Sequence, residues 1–519
     1  MKKIYLLLAL VTLCLTSCFE DKGNYSYHDV NDIVIEGIAE SYTNLSYADE
    51  VLEIDPVIKT DYTDLQYEWY MWDPTIGENY SGWDEEQNYK AELIGTEKKL
   101  SYKVNCPAKR YTIMLKVTSK ENGYSVSAST RFDATTEFAR GFYILKETPD
   151  GNSELDLYYR EGEPVMSDLL TAKGYGPLKG KPLCLGALPS HGYITEEGEV
   201  KECHSISITT EEGDIAFYNT EDMNKVHDRS DAVFGGLSAD EIPYAAFGCG
   251  MSNYLLTNKG TVLSYTYSIM PTMGSMGTRS PSTGSSVFMM WDGRYGVYFW
   301  DSANQRIDYT DHVQMGHTYG EYDNNGFSTE GMECLMAGSI WATDPKTGYF
   351  LLKDKTGKKY LYQSEFSAIP RTKDRKELDA SSKLANATLF ATSVRAANYL
   401  YFVYDNKLYG YNLSNFTENN TPMTLQGIPS DETITYLSYQ WLNFKNDTDN
   451  NFVHLVVGTQ KGDTYRIYMY NVVAGEPREL VRTIEGKGKL KMCVYMTPVK
   501  YDAKYGLIES GDDHASLPN

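Results

Sequence analysis

Apolar and polar positions alternate with a period of two along much of this chain. Leu65-Gln66-Tyr67-Glu68-Trp69-Tyr70 alternates around a central Trp, and Tyr111-Thr112-Ile113-Met114-Leu115-Lys116-Val117 does the same. That period marks strands with one buried face. Asn122-Gly123 supplies a hairpin turn before Tyr124-Ser125-Val126-Ser127, because both residues tolerate positive φ. Ile33-Val34-Ile35 and Val51-Leu52-Glu53-Ile54 add shorter strands. About 100 residues of short strands with one strand-borne Trp predict an immunoglobulin-like sandwich over 31–135. Trp69 then lies in its core.

From residue 141 the pattern becomes a repeat of strand, turn and strand, rich in Tyr. Tyr349-Phe350-Leu351-Leu352 turns through Lys355-Thr356-Gly357 into Lys359-Tyr360-Leu361-Tyr362. Tyr399-Leu400-Tyr401-Phe402 turns at Asp405-Asn406 into Lys407-Leu408-Tyr409. Similar hairpins start near residues 142, 206, 254, 297 and 453, at steps of about 50 residues. A four-stranded propeller blade needs about 40–50 residues. The chain is therefore expected to be all-β, with a β-propeller of about seven blades over 141–503. Runs such as Val287-Phe288-Met289-Met290-Trp291 and Ile434-Thr435-Tyr436-Leu437 are the further strands of their blades, and Leu490 to Met496 would close the ring. Residues 504–519 read as a frayed, flexible tail.

The N-terminus follows another pattern. Lys2 and Lys3 precede an apolar run from Ile4 to Leu15, broken only by Thr12, and Ser17 then precedes Cys18. The run is too short for a permanent transmembrane helix. It looks like a bacterial lipoprotein signal peptide over 1–17, with Cys18 as the acylated residue. Acyl chains contribute about 0.8 kcal/mol per buried methylene, so several on one residue hold a protein at a membrane. Residues 18–30 are a polar tether.

Charge narrows the partners. A formal net charge of −23 repels phosphate backbones, which argues against nucleic acid. Tyr is the compositional outlier, 44 residues against 17 Phe; half-exposed strand faces and binding surfaces both use it. Cys106, Cys184, Cys203, Cys249, Cys334 and Cys493 are scattered without zinc spacing, and read as small core residues.

Several constellations bear on chemistry. Propeller glycosidases need paired carboxylates; the candidates are Asp292, Asp301, Asp308, Asp323, Glu330, Glu333 and Asp344. Most sit in turns, where Asp caps backbone amides. His312 and His317 lie near Asp323 without a helical pattern, and Asp447-Thr448-Asp449-Asn450-Asn451 lacks the Gly and closing Glu of a calcium loop. No catalytic residue, metal or cofactor is expected. Aromatic binding residues are the remaining option. Trp72 and Trp83 fall in a polar stretch, where each either covers its own domain or meets a partner. Trp291, Trp341 and Trp441 stand in or beside first strands of blades, either in the core or facing the channel. Residues 270–286 form a Met-, Gly- and Ser-rich insert carrying Arg279, suited to a ligand carboxylate. The candidate ligand-binding set is therefore Trp83, Arg279, Trp291, Trp341 and Trp441.

The lipobox with its acidic tail, Cys18-Phe19-Glu20-Asp21-Lys22-Gly23-Asn24-Tyr25, and the Tyr67-Glu68-Trp69-Tyr70 strand resemble the PKD-like family of Bacteroidetes surface lipoproteins. The resemblance implies a PKD-like N-terminal domain and a chain exported to the outer face of the outer membrane. It also implies SusC/SusD-type transporter subunits as partners. The function it implies is that of a non-catalytic accessory lipoprotein, binding or presenting oligopeptide or glycan nutrients. A surface hydrolase with a propeller active site and a purely structural importer subunit are the alternatives.

Overall fold

The computed structural model describes residues 32–46, 49–73, 91–195, 197–249, 252–265, 276–279, 284–291, 296–311, 319–320, 322–341, 343, 346–366, 370–395, 397–444 and 451–496, with short pieces of 501–518. Two compact units divide the chain. The first runs to Ala134, less the pieces Leu45–Tyr47 and Cys106–Lys109; the second runs from Thr135. Among the described residues no helix is long and apolar enough to cross a membrane.

The first unit is a β-sandwich. Its larger sheet holds five strands in the order Ser41–Leu45, Ser125–Thr135, Arg110–Ser119, Leu65–Trp72, Glu92–Gly95. Two short pairs, Val34–Glu36 with Val57–Lys59 and Val51–Ile54 with Leu100–Lys103, supply the rest. Alternation does what the sequence predicts: Tyr111, Ile113, Leu115 and Val117 point inward along one strand. Trp69 lies opposite Leu115 and is fully buried. Its Nε1 donates to Glu97 O at 3.0 Å, so the indole's one polar group is satisfied. The strand Leu65–Trp72 includes Trp72, half-buried beside Thr112; Trp72 is therefore a strand residue, not a loop residue.

Among the described residues the second unit is a β-propeller of seven blades. Blade 2 shows the pattern, with strands Pro182–Ile194, Val200–Thr210, Ile215–Asn219 and Lys225–Asp228 pairing antiparallel in chain order. Blades 3 to 6 repeat it, with first strands Pro243–Cys249, Met289–Trp291, Glu333–Ile340 and Leu389–Thr392. Blade 7 runs Thr433–Phe444, Phe452–Lys461, Thr464–Val473, Glu476–Lys487. Blade 1 takes its first strand from the far end of the chain. Lys489–Met496 pairs with Gly141–Glu147, which pairs with Ser153–Tyr158. This pairing closes the ring, as the apolar run from Leu490 predicts.

Stacked blades bury their middle strands on both faces. Those strands therefore read as apolar runs and not as alternation. Tyr143, Tyr254, Tyr298, Tyr349 and Tyr401 all lie on second strands and are essentially buried. Two of the hydroxyls donate to backbone carbonyls: Tyr143 to Phe138 O at 2.5 Å and Tyr401 to Gly475 O at 3.0 Å. Part of the Tyr excess thus fills the space between blades, while Tyr67, Tyr70, Tyr399 and Tyr404 are half-buried residues of strands. All six described cysteines are free and buried. The tail departs from expectation too. Gly511–Asp513 pairs with Leu442–Phe444 on the inner edge of blade 7, and Leu517 is buried in the core.

Candidate functional site

Three of the expected aromatic residues come together at one end of the propeller, where first strands hand over to second strands. Trp291 ends the first strand of blade 4, Trp341 follows that of blade 5, and Trp441 lies near the end of that of blade 7. Trp291 and Trp341 meet edge to face with centroids 5.1 Å apart, and Trp341 and Trp441 at 5.7 Å. Edge-to-face geometry sets the positive rim of one ring against the negative face of the next. Trp341 Nε1 donates to Trp291 O at 2.9 Å, and its backbone N–H donates to Val394 O at 2.6 Å. Blades 4, 5 and 6 are tied together here by two hydrogen bonds on one residue.

Two cations cap the rings. Lys346 Nζ stands 5.1 Å from the Trp341 centroid, and the Arg395 guanidinium 4.7 Å from that of Trp441. Each such contact contributes about 0.5–1 kcal/mol near the surface. Trp341 and Trp441 are buried beneath them, Trp291 and Lys346 are half-buried, and Arg395 is exposed. Both cations sit in connections between first and second strands. Sequence reasoning missed them; Lys346 follows Trp341 closely in sequence, a local signal, whereas Arg395 meets a Trp of another blade and carries none.

Arg279 belongs elsewhere. It lies in the strand Thr278–Arg279 of blade 3, and its guanidinium grips buried Glu241 bidentately, Nη1 to Oε1 at 2.6 Å and Nη2 to Oε2 at 3.0 Å. Thr257 Oγ1 also donates to Glu241, at 2.9 Å. The pairing with Arg279 and Thr257 outweighs burial and holds the Glu241 carboxyl below its usual range. Arg279 is thus a structural clamp, because a buried carboxylate inside the protein already takes both arms of its fork. Trp83 lies outside the described residues, as do Asp292, Asp344, His312, His317 and residues 447–450.

The remaining candidate carboxylates are engaged locally. Asp301 accepts from the amides of Ala303 and Asn304 at 3.0 and 2.9 Å. Asp308 pairs with Arg306 at 2.8 Å, Asp323 caps Asn325 N at 2.7 Å, and Glu333 pairs with Lys353 at 2.5 Å. Glu330 is exposed. Among the described residues no group of three His, Cys, Asp or Glu side chains is arranged to hold a metal ion.

Residues 18–182 match the sequence profile of the PKD-like family. A comparison with curated proteins finds no match. Among solved structures, the chain is similar to a quinonprotein alcohol dehydrogenase-like protein from Bacteroides thetaiotaomicron VPI-5482, at 12% identity and TM-score 0.38, covering 91% of this chain and 100% of that one. AztD from Citrobacter koseri matches at 10% identity and TM-score 0.36, covering 83% and 98%. A DUF4784 family protein from Bacteroides caccae ATCC 43185 matches at 10% identity and TM-score 0.30, covering 75% and 95%.

Proposed function

We propose that this protein is a non-catalytic surface lipoprotein, anchored in the outer membrane through Cys18 and accessory to a SusC/SusD-type importer. It captures or presents oligopeptide or glycan nutrients at the tryptophan end of its propeller. The observation that carries the reading is the cluster of Trp291, Trp341 and Trp441 under Lys346 and Arg395. Adjacent aromatic and cationic groups at a propeller mouth suit a polymer with apolar faces and polar edges. The sequence Cys18-Phe19-Glu20-Asp21 and the profile match beginning at residue 18 support export and anchoring.

The test uses the intact protein. Cys18→Ala should move it from the membrane to the soluble fraction and abolish its co-purification with importer subunits; a variant still fractionating with membranes refutes the anchor. The Lys346→Gln, Arg395→Gln double variant should stay folded, with a melting temperature only slightly lowered, and lose at least five-fold in capture of the nutrient on which the cells grow. Unchanged capture refutes the site.

A further inference from the structure

Blade 1 stops at three strands, and residues 159–181 lie where a fourth would run. This segment bridges the outer strand Ser153–Tyr158 twice, Leu157 with Met166 and Ser153 with Leu178. Between the bridges it forms the short helix Leu169–Ala172. Buried Glu154 holds that helix, accepting from Leu170 N at 2.8 Å, Thr171 N at 3.2 Å and Thr171 Oγ1 at 2.7 Å. The loop that follows, with the outer strands of blade 2, lines an open cavity of about 570 Å³. That volume falls within the range of small-molecule sites, about 300–1,000 Å³.

Most polar groups around this cavity are already used. Arg229 donates to the carbonyls of Gly213, Ser238 and Glu241. Lys225 pairs with Asp228 at 2.8 Å, and Asp228 also accepts from Ser230 N and Oγ. What is left is small and specific. The Lys179 ammonium has no ion pair or hydrogen bond among the described residues. Asp214 spends only Oδ1, on Ile215 N at 2.9 Å. Tyr175 is 44% exposed. Its ring is braced, with Tyr218 at 5.5 Å between centroids and Lys225 N donating to the Tyr175 hydroxyl at 3.0 Å.

We propose that this cavity binds a neutral oligosaccharide. A fixed, half-open tyrosine ring offers a platform for the C–H face of a pyranose. Lys179 supplies donors and Asp214 an acceptor, and a sugar hydroxyl both donates and accepts. Charges of both signs are interspersed around the lining, Lys179, Lys225 and Arg229 with Asp214 and Asp228, so no strong single-sign field selects a charged ligand, and a uronate would face the two carboxylates. Because the ring and its supports are held before the ligand arrives, little ordering entropy opposes binding. The proposal goes beyond the capture reading and does not depend on it, since the cavity shares no side chain with the tryptophan cluster.

The full chain would be titrated calorimetrically with maltotriose, cellotriose, xylotriose, trigalacturonate and triglycine. At least one neutral trisaccharide should bind. Tyr175→Ala and Asp214→Asn should each weaken it at least ten-fold while the chain stays cooperatively folded. The Lys346→Gln, Arg395→Gln variant should bind it normally, which separates this site from the tryptophan cluster. Binding by none of the neutral trisaccharides overturns the proposal. So does a preference for trigalacturonate or triglycine, or indifference of neutral binding to both cavity substitutions.

Discussion

Arg279 shows how far a side chain's role depends on a partner distant in sequence. Its setting among Met, Gly and Ser residues suggests an open loop, yet it is half of a bidentate pair with Glu241. The pairing recurs. Glu432, like Glu241, stands just ahead of a first strand, and it accepts from Arg466, Thr459 and Tyr468. A buried Glu before a first strand, answered by Thr on the second, is a repeat feature visible in the sequence once blades are aligned. Removing one partner of a buried pair strands the other. Arg279 is partly exposed, so water offsets some of that cost. Arg279→Ala should lower stability by about 1–3 kcal/mol and leave ligand capture unchanged, as urea melts and binding assays on one preparation would show. His454 gives the residue scale a pH dependence. Burial, aided by the nearby Arg482 charge, pushes its imidazole down to about 4, against about 6.5 in an unfolded chain. Between those values the unfolded state binds the extra proton, so the folded state loses ground as pH falls from 6.5 toward 4. At pH 7.5 His454 is neutral in both states and carries no penalty. His454→Gln should therefore narrow the difference in unfolding free energy between pH 7.5 and pH 4.5 by up to about 3 kcal/mol. An equal pH dependence in wild type and variant would refute this assignment.

At the scale of elements, hairpins were legible and their neighbours less so. Second and third strands meet at tight turns with strong local signals. Asp405 and Asn406 both take positive φ, 49° and 56°, the geometry of a two-residue hairpin turn. First strands are less uniform: Met289–Trp291 shows as part of an apolar run, whereas Leu389–Thr392 is short and packs against neighbouring blades. The identity of such a strand depends on contacts distant in sequence, which no local period encodes. The replacement of a fourth strand by helix Leu169–Ala172 was invisible for the same reason. The helix is one turn long, and isolated turns of that length are unstable in water. Its stability comes from Glu154, an acid inside a strand, whose carboxylate also accepts from Leu155 N at 2.9 Å. Glu154→Ala would leave several inward-facing donors without an acceptor, at about 1–3 kcal/mol for each one that stays buried. Hydrogen exchange should then accelerate at Leu170 and Thr171, while amides of the Gly141–Glu147 strand stay protected. Unchanged exchange in the helix would mean that apolar burial of Leu169 and Leu170 is sufficient to hold it.

For the propeller as a whole, stability rests on closure. A ring of sheets has no free inner edge only if its first and last blades are joined. Several ties join them here. Lys489–Met496 pairs along Gly141–Glu147. Tyr465 of blade 7 donates to buried Asp156 of blade 1 at 2.6 Å. Tyr436 and Gln440 of blade 7 donate to Cys493 O at 3.0 and 2.8 Å. The closing strand could be read from sequence because it is one more apolar run after seven complete hairpins; the side-chain ties could not, since their partners lie some 50 to 310 positions apart. Truncation after Lys487 removes the strand and with it the partners of Gly141–Glu147. The urea transition of the propeller should then lose its cooperativity and its slope should fall, because unfolding can begin at an open blade. Val494→Asp is the sharper version, placing a carboxylate at a fully buried position, at a cost of about 3–5 kcal/mol. Truncation after Met496 retains the strand but removes Gly511–Asp513 and Leu517. It should shift the midpoint and keep the slope. If both truncations melt alike, the inner tail strand and the closing strand act as one unit, and the pairing with Gly141–Glu147 is not by itself what seals the ring.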